Sequence, residues 1–158
     1  MKILLTGSSG QAGQAIIKSK PGGVDLITPD RKELDLSNPQ DCINVVQKYQ
    51  PEWILNSAAY TSVDQSELNE GLAMSINANA PRAFAMALSK YGGRMLHISS
   101  DYVFNGKQSF PYKASQPRSP IGVYGRSKAA GEVAIEEILG GTYQAAILRT
   151  SWLMGPVG

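Results

Sequence analysis

A glycine-rich turn directly after a short apolar run constrains this chain more than any other feature. Residues 3–5 (Ile-Leu-Leu) are typical of a buried strand, and Gly7, Gly10 and Gly13 follow them with GxxGxxG spacing. Helical periodicity over residues 11–19 begins inside that turn. A strand, a glycine turn and a helix in this order predict a dinucleotide-binding unit, in which free N–H groups at the helix start face the pyrophosphate.

Strand and helix patterns alternate along the rest of the 158 residues. Further strands are predicted over 24–28, 53–56, 94–99 and 145–149, and further helices over 39–50, 73–90 and 123–139. Such alternation predicts a parallel sheet with helices on both faces, joined by right-handed crossovers. We therefore expect an α/β, doubly wound parallel sheet, the Rossmann-type dinucleotide-binding fold, over residues 1–158. Pro81 either kinks its predicted helix or divides it in two.

Composition argues against several classes of partner. The formal net charge of +2, without any run of Lys or Arg, is too small to indicate a nucleic-acid partner. No apolar stretch is long enough to span a bilayer, and the N-terminus lacks a secretory pattern. The single cysteine, Cys42, cannot form an internal disulfide, which fits a reducing compartment. We expect a cytoplasmic protein in which Cys42 is a buried apolar residue.

Two pairs of residues are candidates for the adenosine end of a dinucleotide. Asp30 and Arg31 follow the second predicted strand. An acidic side chain there accepts hydrogen bonds from the ribose, whereas an arginine pairs with a 2′-phosphate. The choice between NADH and NADPH therefore stays open, and two solvated turn residues are the alternative. Asp35 and Leu36 either contact the adenine ring or only turn the chain toward the next helix.

The residues after the third predicted strand are small. Residues 56–61 let a flat ligand lie against backbone, while Asp64 and Glu67 beyond them are interpreted as solvated surface. Asn77 lies in the helical stretch beneath. It either braces a strand or a catalytic lysine through water, or makes a plain helix contact.

Tyr124 and Lys128 are four residues apart on a predicted helix and share one face. A free tyrosine has a pKa of about 10, and a nearby ammonium lowers it by favouring the phenolate. Lys128 is predicted to supply that charge, so that Tyr124 hands a proton to a carbonyl. Ser99 and Ser100 end the fourth predicted strand, and the Ser100 hydroxyl is placed to donate to the same carbonyl oxygen. The alternatives are a surface Tyr/Lys pair and two turn serines. His97 is predicted to be a packed core residue.

Five segments together resemble a known family. They are residues 6–13, 58–64, 98–104, 120–128 and 149–152. In order and spacing they resemble the extended short-chain dehydrogenase/reductases, and within them the dTDP-4-dehydrorhamnose reductases. The AAYTxVD and SxDYVF patterns are more specific than the glycine turn.

The resemblance implies a reaction and a set of site residues. Enzymes of this family pass a hydride from NADPH or NADH to the C4 keto group of a nucleotide sugar, dTDP-4-dehydro-L-rhamnose, and form dTDP-L-rhamnose. By this resemblance Tyr124 donates the proton, Lys128 activates it and binds the nicotinamide ribose, and Ser100 hydrogen-bonds to the reacting oxygen. Asp101 and Trp152 lie near the sugar, together with Ser100. The cofactor-binding residues are then Gly7, Gly10, Gln11, Ala12, Gly13, Asp30, Arg31, Asp35, Leu36, Ala58, Ala59, Tyr60, Thr61, Ser99, Tyr124 and Lys128.

Three departures from the family pattern matter. Ser100 stands where threonine is common, and the hydroxyl is retained. Ala15 stands where some members carry a glutamate that binds magnesium at a dimer interface, so we expect no metal site, although a homodimer remains an expectation. Family members continue well beyond this length, and residues 155–158 are interpreted as a loop. We therefore expect most of the substrate domain to be missing, and the chain to hold a cofactor but to close poorly over a nucleotide sugar.

Other activities remain as alternatives. Sugar-nucleotide dehydratases of this kind carry Asp-Glu after the strand-end hydroxyl, whereas Tyr102 follows Asp101 here. Epimerases share the Tyr/Lys pair, and the SxDYVF and AAYTxVD segments favour the reductase. The chain also resembles a non-catalytic regulatory subunit of the same family, the β subunit of methionine adenosyltransferase. Retention of Ser100, Tyr124 and Lys128 favours an enzyme.

Overall fold

A computed structural model describes residues 1–155 as alternating strands and helices. The strands are β1 (Lys2–Thr6), β2 (Asp25–Ile27), β3 (Trp53–Asn56), β4 (Arg94–Ser100) and β5 (Ala145–Thr150). The α-helices are α1 (Gln11–Ser19), α2 (Pro39–Tyr49), α3 (Val63–Leu68), α4 (Glu70–Met74), α5 (Ala80–Tyr91) and α6 (Val123–Leu139). The predicted α/β class is confirmed. Residues 156–158 of the predicted terminal loop lie outside the described residues.

The five strands form one parallel sheet in the order β2-β1-β3-β4-β5. The chain moves from β1 to β2 on one side and then returns to β3 on the other side of β1. In a doubly wound sheet the ligand crevice lies outside the carboxyl ends of the strands at such a reversal. The fold therefore places the glycine turn after β1 and the small residues after β3 side by side.

The main core lies on the face of the sheet that α2, α5 and α6 cover. Phe84 and Leu88 of α5 are fully buried there against Leu4 and Ile54 of the sheet. Cys42 is buried in the same core, as predicted, and burial raises the pKa of its thiol to about 12, which makes it a poor nucleophile. None of the helices within residues 1–155 combines the length and apolar character needed to cross a bilayer.

The opposite face of the sheet is less fully covered. Because crossovers are right-handed, α1, which leads from β1 to β2, lies on the face opposite to α2. Leu148 of β5, at the far end of the sheet, is 49% exposed. Helices were predicted to cover both faces of the sheet, but on this face β5 is partly exposed.

Local sequence signals set several helix ends. The Asn38 side chain accepts a hydrogen bond from the Gln40 amide at 3.1 Å, and Pro39 opens α2, as predicted. The stretch around Pro81 forms two helices, because α4 and α5 are joined by a π-helical turn, Ser75–Asn79. Pro81 is the second residue of α5, which directly follows the π-helical turn. The short α3 and a 3-10 helix, Asp101–Val103, have no counterpart in the sequence prediction.

We expect Gly13→Ala to lower the free energy of unfolding by about 1–3 kcal/mol, because overpacking forces the backbone to shift. A Cβ at Gly13 would lie 2.1 Å from the Gly7 carbonyl oxygen. Gly71→Ala, in a helix with no atom within 4 Å of the added carbon, is the matched control and should be neutral or slightly stabilising. Urea denaturation measures both. Equal stability of the Gly13 variant and the parent would contradict the close packing.

Candidate active site

The glycine turn and the loop after β3 pack directly against each other at the reversal of strand order. Gly7 has φ of +70°, and a Cβ there would lie 2.8 Å from the Ala58 amide nitrogen. Only glycine combines this backbone angle with such a close approach. The two loops therefore form one continuous floor at the carboxyl edge of the sheet.

The first turn of α1 presents unpaired backbone amides to this floor. Gly10 is the N-cap, without a side-chain cap, and the first turn contains no acidic residue. The amides of Gln11, Ala12 and Gly13 therefore have no partner inside the helix. The positive end of the helix dipole adds to them, so an anion such as a pyrophosphate is favoured here.

The residues predicted at the adenosine end lie in tight turns. Asp30 Oδ1 accepts hydrogen bonds from the Lys32 amide at 2.9 Å and the Glu33 amide at 3.0 Å. The backbone amide and then the hydroxyl of Ser37 lower the pKa of Asp35. Arg31 is exposed, while Leu36 packs against the main core. One Asp30 oxygen is thus already engaged, whereas Arg31 extends into solvent.

Asn77 fixes the loop that follows β3. Its Oδ1 accepts from the Tyr60 amide at 2.8 Å, and its Nδ2 donates to the Tyr60 carbonyl at 3.0 Å. The same Nδ2 donates to Ser127 Oγ of α6 at 3.0 Å. Asn77 therefore braces the predicted cofactor loop, residues 58–61, against α6. It makes no hydrogen bond to Lys128 within the described residues.

A row of polar side chains crosses the sheet beneath the site. Thr6 Oγ1 donates to Asn56 Oδ1 at 2.6 Å, and Asn56 Nδ2 lies 2.9 Å from His97 Nδ1. Since the Asn56 amide nitrogen can only donate, His97 Nδ1 must accept and the ring is neutral. His97 is fully buried, which confirms its predicted place in the core. Burial, followed by the charge of Lys128, holds the pKa of His97 well below 6.5.

Ser100 and Tyr124 meet where β4 ends. Ser100 Oγ accepts from the Tyr102 amide and donates to Asp101 Oδ1, each at 3.2 Å. Tyr124 is the second residue of α6, and the ring of Tyr102 stands edge-on to it with 5.4 Å between the ring centroids. The predicted proton donor and the predicted hydroxyl donor therefore share one end of the sheet.

The lowered pKa predicted for Tyr124 is wrong for this structure. Burial raises the pKa of Tyr124, and the charges of Asp101 and Tyr102 raise it further, while the Ser100 hydroxyl lowers it. A buried phenolate loses hydration, and this effect outweighs the stabilising contact. At neutral pH Tyr124 is therefore a phenol that keeps its proton.

Lys128 points into the protein. The side chain is 2% exposed, and its Nζ donates to the Ile98 carbonyl at 2.7 Å. Burial lowers its pKa to about 8, and the negative charge of Glu132 partly opposes the shift. The ammonium is thus directed at the backbone of β4. This direction explains why Lys128 does not lower the pKa of Tyr124.

A buried ion cluster, not singled out by the sequence prediction, holds the loop between β4 and α6. Glu132 is fully buried and accepts from Arg149 at 2.7 Å and from Arg118 at 2.5 Å. Burial alone raises the pKa of Glu132, but these two arginines reverse the effect and keep it low. Arg149 also donates to the Ala114 carbonyl and lies 5.0 Å above the ring of Phe104. Glu132 lies four residues after Lys128 on α6, so the two side chains share one face of the helix. This spacing is the sequence signal that would have indicated that Glu132 is buried.

Some predicted site residues lie apart from this group. Trp152 follows β5 and is 89% exposed, so its contact with a sugar stays a prediction. Ser99 is buried, and its carbonyl accepts from Thr150 Oγ1. Glu67 is exposed, as interpreted above, and its carboxylate also accepts a hydrogen bond from the Val123 amide at the start of α6. A cleft of about 660 Å³ lies at the amino ends of β3 and β4, near Trp53 and Arg94, away from the candidate site.

Comparisons with known proteins assign the chain to a family. A family model described as the RmlD substrate binding domain matches residues 1–158. The chain belongs to this family. Among residues 1–155 of this RmlD family member, no three His, Cys, Asp or Glu side chains are grouped to bind a metal.

Curated relatives of this RmlD chain are about twice as long. A dTDP-4-dehydrorhamnose reductase from Aggregatibacter actinomycetemcomitans is 38% identical over 99% of this chain and 53% of its own length. The spore coat polysaccharide biosynthesis protein SpsK of Bacillus subtilis is 37% identical over 99% of this chain and 55% of its own. The chain therefore spans about half the length of the relatives it matches.

Solved structures agree with the RmlD assignment. A dTDP-4-dehydrorhamnose reductase from Bacillus anthracis, crystallised in complex with NADP, superposes with a TM-score of 0.91 at 38% identity. The match covers 99% of this chain and 55% of that one. A UDP-glucose 4-epimerase from Thermotoga maritima superposes with a TM-score of 0.86 at 21% identity, over 99% of this chain and 57% of that one. At that identity the epimerase shows the fold alone, a doubly wound α/β sheet.

We expect the free energy of unfolding to decrease when the pH is lowered below about 6.5. In that range His97 of the unfolded chain binds a proton, whereas the buried His97 of the folded chain stays neutral. A folded pKa below the unfolded one makes the unfolding free energy fall as pH falls, by at most about 1.4 kcal/mol per pH unit. His97 is the only histidine, so its NMR signal is unambiguous. The signal should not titrate near pH 6.5. A midpoint at the ordinary value would contradict the neutral, bonded ring.

Proposed function

We propose that this chain is the cofactor-binding and catalytic part of an NADPH-dependent dTDP-4-dehydrorhamnose reductase. Such an enzyme reduces the C4 keto group of dTDP-4-dehydro-L-rhamnose to the alcohol of dTDP-L-rhamnose. The observation that carries the proposal is that Ser100 and Tyr124 lie at the same sheet edge as the glycine turn, with Lys128 one helical turn further. Relatives named for this reaction support it.

The residues present fit a dinucleotide. The pyrophosphate can approach the backbone closely because Gly7 and Gly13 have no side chains. The free amides at the start of α1 favour its negative charge. Residues 58–61, braced by Asn77, would line the flat part of the molecule. When bound in its reduced form, the nicotinamide cofactor supplies the hydride.

Tyr124 is suited to give a proton. Its raised pKa keeps the phenol O–H intact at neutral pH. When the C4 carbonyl carbon accepts a hydride, its oxygen becomes an alkoxide, which is a far stronger base than a phenolate. The Tyr124 O–H bond then breaks and the alcohol O–H bond forms. The Ser100 hydroxyl, turned from Asp101 toward the same oxygen, donates a hydrogen bond that stabilises the developing charge.

Arg31 favours NADPH over NADH. One Asp30 oxygen accepts from two backbone amides of its own turn, whereas Arg31 is exposed beside it. A guanidinium pairs well with the 2′-phosphate that only NADPH carries. The NADP in the Bacillus anthracis reductase supports this choice.

A regulatory, non-catalytic role is the second candidate. A binding subunit needs no proton donor, yet Ser100 and Tyr124 are retained and lie together. A homodimer, a cytoplasmic location and the wider substrate domain remain predictions from the sequence.

Tyr124→Phe should lower kcat by roughly 10²–10⁴ and leave the NADPH affinity nearly unchanged, because it removes only the hydroxyl group that carries the transferable proton. Reduction of dTDP-4-dehydro-L-rhamnose is followed at 340 nm, with this chain and with a fusion to the remaining half of the Aggregatibacter relative. Tyr143→Phe, at a residue that is 96% exposed, is the control. Full activity of the Tyr124 variant would refute the proposed role, and NADPH binding without any turnover would favour the regulatory subunit.

Arg31→Ala should weaken NADPH binding by about tenfold or more and leave NADH binding nearly unchanged, since a charge-assisted hydrogen bond is lost. Calorimetric titration of this chain with each dinucleotide measures both. Lys32→Ala removes a neighbouring exposed charge and is the matched control. An equal loss for both dinucleotides would contradict recognition of the 2′-phosphate.

A further inference from the structure

The N-terminus of α6 lacks a cap in its own sequence. Gly122 occupies the N-cap position, and the first turn contains no acidic residue. Val123 and Tyr124 are the first two residues of the helix, so their amides have no acceptor within it. A helix start without a cap frays readily, and Tyr124 is part of this first turn.

The missing cap comes from a residue 56 positions earlier in the chain. The Glu67 carboxylate accepts a hydrogen bond from the Val123 amide at 2.7 Å. A Cβ on Gly122 would lie 3.0 Å from Glu67 Oε1, so the absence of a side chain there leaves room for the carboxylate. A negative charge at a helix start is also favoured by the helix dipole.

Glu67 also connects two parts of the candidate site. It lies on α3, which follows directly after the loop of residues 58–61. That loop is already tied to α6 through Asn77 and Ser127. Asn77 contacts the second turn of α6 through Ser127, whereas Glu67 contacts its first residue, next to Tyr124. The two contacts fix both the position and the direction of the first turns of α6.

We propose that Glu67 is a positioning residue for Tyr124: by capping α6 from outside, it sets where the phenol stands relative to Ser100. This inference rests on the proposed function, because the exact position of the Tyr124 phenol matters only if Tyr124 donates a proton. The contact itself is a property of the folded chain and is measured without any turnover.

Amide hydrogen exchange of this chain tests the cap directly. In Glu67→Ala the Val123 and Tyr124 amides should exchange about fivefold faster, in line with the loss of an N-cap. Glu67→Gln keeps an acceptor oxygen and should restore most of the protection. Glu70→Ala is the control, because it removes an equal charge on the adjacent α4, where Glu70 pairs with Arg126 at 3.6 Å on the surface. It should leave both amides unchanged.

The pKa of Tyr124 is the second measurement. Burial is the largest cause that raises it, so fraying of the first turn should move the pKa back toward 10. NMR of ring-labelled tyrosine, assigned with Tyr124→Phe, follows this titration in the alanine, glutamine and Glu70 variants. Glu67→Ala should shift it, and Glu67→Gln and Glu70→Ala should not.

The outcomes separate this inference from the proposed function. Faster exchange and a shifted Tyr124 titration in a chain without reductase activity would support the cap and refute the reductase. Unchanged exchange and titration in Glu67→Ala, with NADPH still bound, would overturn the cap whatever the activity. If Glu67→Ala does not fold, Glu67→Asp decides, because it keeps the charge but shortens the reach. Protection equal to that of the parent would then refute the contact.

Discussion

Close contact between backbone segments at the start of α1 is the constraint on which the rest of the structure depends. Gly13 lies against the Gly7 carbonyl, and Gly7 lies against the Ala58 amide. No side chain separates these segments, so β1 and β3 bring their carboxyl ends together. The row from Thr6 to His97 then reaches hydrogen-bonding distance across three strands. The candidate site is thus assembled by packing of backbone before any reactive group is considered.

Local patterns predicted most of the fold. The bounds of α1 and α6 agree with the prediction because apolar periodicity, the glycine turn and the glycines at the ends of α6 are short-range signals. The strands were predicted because each contains at least two adjacent apolar residues. The short α3 was missed, since six residues are too few to show a helical period. Pro81 correctly indicated that the long helical stretch is interrupted. The π-helical turn that precedes α5 has no recognisable pattern in the sequence.

The electrostatics of the site could not be predicted in the same way. Spacing placed Tyr124 and Lys128 on one face of α6, but the direction of the Lys128 ammonium depends on the Ile98 carbonyl of β4. Burial reverses the expected shift in the pKa of Tyr124, and burial is a property of the whole packed chain. Glu67 is exposed, as expected, but its contact with the Val123 amide could not be predicted because the two residues are 56 positions apart. The spacing of two residues in the sequence predicts their contact only when both lie on the same helix or strand.

The Glu132 cluster has a consequence for the order in which segments of the chain come together during synthesis. Glu132 belongs to α6, yet one of its two arginines, Arg149, is part of β5. While β5 is still unsynthesised, Glu132 has Arg118 alone, and the Ala114 carbonyl lacks its donor. The buried charge of α6 therefore gains its second arginine only when β5 takes its place in the sheet. Closure of this cluster therefore follows the pairing of β5 with β4.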